Sequence, residues 1–129
     1  MNEKIAENRA MPKQVLVLVE TGPEHPGKSA EALRVAEGVR PWGGLEITIC
    51  FAGRGLSLLN PAACPDSLSE NLGTSLKSIH EAGIPVICLG PIQNQCNYEE
   101  MWKIPIRLIE DSEWTALLGR CDILLRYAV

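Results

Sequence analysis

Five consecutive aliphatic residues, Val15-Leu16-Val17-Leu18-Val19, set between Gln14 and Glu20, constrain this chain more than any other feature. A strand alternates its side chains between two faces, so an unbroken apolar run reads as a strand covered on both sides. Such strands sit in the middle of parallel sheets, whose faces are packed by helices. Neither this run nor the one over residues 84–89 is long enough to cross a bilayer, so no membrane association is expected.

From there strand and helix patterns alternate. After a turn region over residues 21–27, residues 28–39 place Ala32, Leu33, Val35, Ala36 and Val39 at helical spacing. The Pro41-Trp42-Gly43-Gly44 segment stops that helix. Residues 45–51 form a second strand, ended by Ala52-Gly53-Arg54-Gly55. Residues 56–66 contain the breakers Asn60-Pro61 and Cys64-Pro65 and read as loop with a short helical turn. Ser67 or Ser69 is expected to cap a second helix reaching about residue 82, with Leu72, Leu76 and Ile79 inward and Gly83 as its stop. Strands follow at residues 84–89, 106–109 and 122–127. Between them lie a helical turn near Tyr98 and a helix capped by Asp111 or Ser112 and running through Leu118. The order predicts a three-layer α/β/α fold around a mostly parallel five-stranded sheet. Residues 1–13 read as a flexible arm and residues 14–129 as a single α/β domain.

With 46% apolar and 22% charged residues the chain has the makeup of a globular protein and not of a disordered one. Twelve basic against sixteen acidic residues give a net charge of −4 with no basic cluster, so nucleic-acid binding is not expected. Five cysteines make an odd number, and the opening residues lack the apolar segment of a secretory signal. Both point to reduced thiols in a cytoplasmic protein and not to a disulfide framework. No Cys-x-x-Cys pair occurs, and His25 and His80 stand apart from paired ligands, so no metal site is expected.

In open parallel sheets ligands collect at the carboxyl ends of the strands. Those ends are residues 21–28, 51–60 and 90–97, with a smaller share from 110–112, which makes Thr21, His25, Lys28 and Arg54 crevice candidates. Gly22-Pro23-Glu24-His25-Pro26-Gly27-Lys28-Ser29 spells the phosphate-loop pattern after a strand and at a helix start. Pro23 and Pro26, however, remove two of the N–H donors a phosphate cradle uses, and no strand ends in the aspartate that would complete a magnesium site. A P-loop-like nucleotide-binding protein is therefore one alternative, and a plain turn with a helix cap is the other. By spacing alone a strand cysteine such as Cys88 is more often a small buried hydrophobe than a nucleophile. Cys88, however, closes the third strand and borders a polar loop, where N–H dipoles or a nearby Lys28 or Arg54 would favour its thiolate. Cys96, in the polar stretch 93–98, is a candidate second thiol that accepts sulfur from Cys88 or resolves it. Cys50 and Cys121 read as core residues. Trp42, Trp102 and Trp114 are scattered and read as packing anchors.

Four segments together resemble the DsrE/DsrF-like sulfur-relay family (the DsrEFH/TusBCD-like group), most closely its DsrE and TusD members. Residues 15–39, VLVLVETGPEHPGKSAEALRVAEGV, are similar to its opening strand, TGP-type loop and helix. Gly53-Arg54-Gly55-Leu56 is similar to the turn after its second strand. Residues 84–90 look like the strand that ends in the family's reactive cysteine, which lands on Cys88. Residues 114–127 look like the closing helix and strand. The resemblance implies a small sulfur carrier or sulfurtransferase, with sulfur held as a persulfide on Cys88 and no cofactor. It further implies sulfur donor and acceptor proteins as partners, and a homo-oligomer (trimer or hexamer) or a hetero-oligomer with sister subunits. Sulfur-carrying members tend to follow the cysteine with an Arg-Gly turn, whereas residues 89–98 carry Gly90-Pro91 and no arginine. That departure favours the family's other kind of member, a non-catalytic subunit or small-ligand-binding module.

Overall fold

The apolar run forms strand β1 (Lys13–Val19), which starts one residue earlier than its pattern predicts. The computed structural model describes residues 12–39, 43–90 and 98–128, so most of the expected N-terminal arm, Trp42 and Cys96 lie outside the described residues. Strand β2 (Leu45–Ala52) pairs in parallel with one edge of β1, and β5 (Ile123–Tyr127) with the other. Beyond β2 come β3 (Val86–Leu89) and β4 (Arg107–Ile109), also parallel. The sheet order is β4-β3-β2-β1-β5, all five strands parallel, as the expected fold class requires.

Alternation along the strands sorts the core into two layers. Val15, Val17, Val19, Ile47, Ile49 and Phe51 face the larger layer, filled by Ala32, Leu33 and Ala36 of α1 (Pro26–Val39) and by Leu72, Leu76 and Ile79 of α2 (Asp66–Glu81). Leu16, Leu18, Cys50, Ala52 and Ile87 face the smaller layer, covered by Trp114 and Leu117 of α4 (Asp111–Arg120). Each fully buried Leu, Ile or Phe contributes on the order of 2 kcal/mol, so the α1–α2 side carries most of the stability. A short helix, α3 (Tyr98–Trp102), ends in Trp102, whose indole Nε1 donates to the Leu59 carbonyl at 2.9 Å. Among the described residues no helix is long and apolar enough to cross a membrane.

Local chemistry departs from the sequence reading in two places. The segment expected as loop with one short helical turn is a 3-10 helix over Gly53–Leu59 followed by another over Pro61–Ala63. Leu58 and Leu59 are wholly buried, and burying them holds the segment against the sheet. Neither Ser67 nor Ser69 caps α2, whose N-cap position is Pro65, and neither Asp111 nor Ser112 caps α4, which follows Glu110; no side-chain cap forms at either. Acidic residues in the first turns, Asp66 in α2 and Asp111 and Glu113 in α4, oppose the helix dipoles instead. Gly83 does end α2 as expected, at φ +79 with its N–H on the His80 carbonyl.

Gly55 is where the 3-10 helix crosses β1. A Cβ there would lie 2.1 Å from the Val19 carbonyl oxygen, a backbone atom that cannot swing aside. Gly55→Ala is expected to lower the urea midpoint by the equivalent of about 1–3 kcal/mol with an unchanged slope. An unaltered midpoint would mean that the 3-10 helix does not pack this tightly.

Candidate functional site

The topology itself selects a place for a ligand. From β1 the chain crosses by α1 to β2, on the α1–α2 face; from β4 it returns by α4, on the other face, to β5. The strands flanking this change of face are β1 and β5, and a ligand crevice is expected beyond their carboxyl ends. A cleft of about 220 Å³ lies there, lined by Glu20, Thr21, Glu24, Gly53, Arg54, Arg126 and Ala128.

Backbone pairing places the lining residues at the ends of β1 and β5. The Glu20 N–H donates to the Tyr127 carbonyl, which extends the β1–β5 ladder past the end of the apolar run. Arg126 stands opposite Leu18 in that ladder, and two residues further along β1 the Glu20 carboxylate accepts from Arg126 Nε. Arg54, in the first turn of the 3-10 helix, donates through Nη1 to Glu24 Oε1 at 3.2 Å. Gly22 makes room for that carboxylate: a Cβ on Gly22 would come within 2.7 Å of Glu24 Oε2. The Glu24 carboxyl is held below its ordinary value, first by a backbone hydrogen bond at Glu24 itself and then by Arg54. Thr21 lines the same cleft and is fully buried, and its hydroxyl has no hydrogen-bond partner among the described residues. Native structures satisfy nearly all such groups.

Thr21 and Arg54, two of the four expected crevice residues, are brought together here. His25 and Lys28 do not line the cleft. The His25 N–H donates to the Gly22 carbonyl and the Lys28 N–H to the His25 carbonyl, so these two backbone N–H groups close turns. The Ser29 hydroxyl donates back to the Pro26 carbonyl at 3.1 Å. The stretch that spells a phosphate loop is thus a pair of tight turns running into α1. Glu20, Glu24 and Arg126 were missed by sequence reasoning; only knowledge that β5 pairs with β1 brings the last of these to the site.

Cys88 lies elsewhere. It sits on β3, two strands from β1, with its side chain in the larger core layer and 1% exposed. Burial raises its thiol above the ordinary value, and among the described residues no cation acts on it in the other direction. The expectation that Cys88 opens onto an electropositive crevice is therefore corrected: the parallel pairing of β3 between β2 and β4 points residue 88 inward, toward α1 and α2. Cys50, as expected, is in the core, and burial followed by the neighbouring Cys88 pushes its thiol up to about 12. Cys64 is half-buried, with its thiol against the Ser57 carbonyl at 3.5 Å, and Cys121 is half-buried, 3.0 Å from the Ile123 carbonyl.

The buried thiols have a consequence for alkaline stability. In the unfolded chain they ionise near 9.0, whereas folded Cys50 holds its proton to about 12. Their contribution is complete below the unfolded value and is lost as pH rises through this window, by on the order of 1 kcal/mol per pH unit for Cys50. Urea titrations should show stability falling over that range, with a shallower fall in Cys50→Ala. An equally steep fall in the variant would exclude Cys50 as its source.

No protein-family model and no curated protein matches the chain. Among solved structures, the ychN protein from E. coli is similar at a TM-score of 0.64 and 15% identity, over 91% of this chain and 100% of that one. The likeness shows the fold, the three-layer arrangement predicted by the alternation of strand and helix patterns.

Proposed function

We propose that this chain is a DsrE-like binding subunit that holds a small polar molecule non-covalently in the cleft between β1 and β5. The observation that carries this reading is the position of the cleft: two carboxylates and two guanidiniums, with Thr21 among the lining, meet at the topological switch between β1 and β5. The missing arginine after Cys88 agrees with it, as does the depth of that thiol.

The second reading is sulfur carriage, supported by the match of residues 84–90 to the cysteine-bearing strand of the family. In that chemistry the Cys88 thiolate attacks the outer sulfur of a donor persulfide, forms a new S–S bond and releases the donor thiolate. A thiol that ionises late inside an aliphatic layer is a poor nucleophile for this step. Native protein incubated with a persulfide donor is expected to gain no sulfur atom at Cys88 by mass spectrometry. Stoichiometric loading there, lost in Cys88→Ser, would replace the binding reading with the carrier reading and its donor and acceptor partners.

Self-association belongs to the same proposal. Leu118 at the end of α4 is exposed, as are Ile123 and Leu124 on opposite faces of edge strand β5, whose outer ladder edge is unpaired among the described residues. A second copy of the chain is the occupant we assign to it, giving a homo-oligomer. Light scattering should report a mass above one chain for the wild type and a shift toward monomer for Leu124→Glu. A monomeric wild type at micromolar concentration would remove this part of the proposal.

A further inference from the structure

Resting on the reading of this cleft as a ligand site, we infer that it takes a small zwitterion of amino-acid size, and that the Thr21 hydroxyl is one of its contacts. The charges set the ligand class. Glu20 with Arg126 and Glu24 with Arg54 place two carboxylates and two guanidiniums around one opening, and their formal charges sum to zero. A simple anion entering between them meets two carboxylates, and a simple cation meets two guanidiniums. A molecule with a carboxylate and an ammonium a few bonds apart finds a partner for each.

The donors for it are present. Arg126 meets Glu20 through Nε and Arg54 meets Glu24 through Nη1. A guanidinium has five N–H groups, which leaves most of each fork to receive a carboxylate. Both arginines are more than 60% exposed, so their ion pairs are weak and exchange readily with a ligand. Size narrows the class further: a cleft of about 220 Å³ holds roughly seven waters by liquid volume. Nucleotide and drug-sized sites begin near ~300 Å³.

Thr21 supplies the independent observation. A valine of the same shape would avoid burying an unpaired hydroxyl, yet a threonine lines the cleft with that hydroxyl unpartnered among the described residues. Local stability is given up at a binding group whose partner is the ligand.

Three matched probes test this by chemical-shift titration of the full-length protein: L-alanine, propionate and ethylammonium. L-alanine is expected to saturate, with the single-charge probes ~tenfold weaker or worse. Thr21→Val is expected to weaken L-alanine by ~threefold to tenfold while raising Tm, and Thr21→Ser to keep the wild-type affinity. Propionate or ethylammonium binding as tightly as L-alanine would overturn the zwitterion and leave the cleft reading standing. Absence of saturable binding by all three would overturn both. Unchanged affinity in Thr21→Val, with the Tm gain alone, would remove Thr21 as a contact.

Discussion

Two parallel ladders, one on each side of β1, consume the backbone hydrogen-bonding groups of that strand and leave it no edge in water. Its side chains then have only two places to go, above the sheet and below it, and both must be apolar. The helices follow from this demand. α1 and α2 bury Val15, Val17 and Val19 on one face, while α4 covers Leu16 and Leu18 on the other. Without the crossover of α4 to the opposite face, β5 would not reach the free edge of β1, and the crevice between their carboxyl ends would not exist.

The same arrangement separates polar-site chemistry from thiol chemistry. Polar and charged groups gather where the backbone leaves the sheet at β1, β2 and β5. Cys88 instead remains within the ladder, on a strand flanked on both sides, with its sulfur directed into the thicker hydrophobic layer. A thiol in that setting behaves as a small apolar side chain whose ionised form is penalised. An orphaned hydroxyl at Thr21 is the reverse case, a polar group kept where packing alone would prefer a methyl.

Much of the architecture was legible in residue spacing. The unbroken run 15–19, the helical periods of Ala32, Leu33 and Ala36 and of Leu72, Leu76 and Ile79, and the stop at Gly83 each report a local constraint that few conformations satisfy. Thr21 and Arg54 were legible as crevice residues because they directly follow strands. The caps were not: Pro65 and Glu110 precede helices whose ends are served by first-turn acids, which a search for serine at the cap position overlooks. The 3-10 helix at Gly53–Leu59 was equally hidden, since its glycines read as loop while the burial of Leu58 and Leu59 organises it.

Sequence alone determined that this chain builds a parallel sheet between helical layers, because side-chain periodicity and apolar length are local properties and survive without knowledge of neighbours. Which strands become neighbours is a different matter: it depends on the path of α4 around the sheet. Tertiary structure therefore decided that Arg126, far along the chain, meets Glu20 at the cleft that Thr21 also lines, and that the sulfur of residue 88 faces oil and not water. Both outcomes come from long-range pairing, which sets which face and which end of a strand a residue occupies, and no window of adjacent residues encodes that.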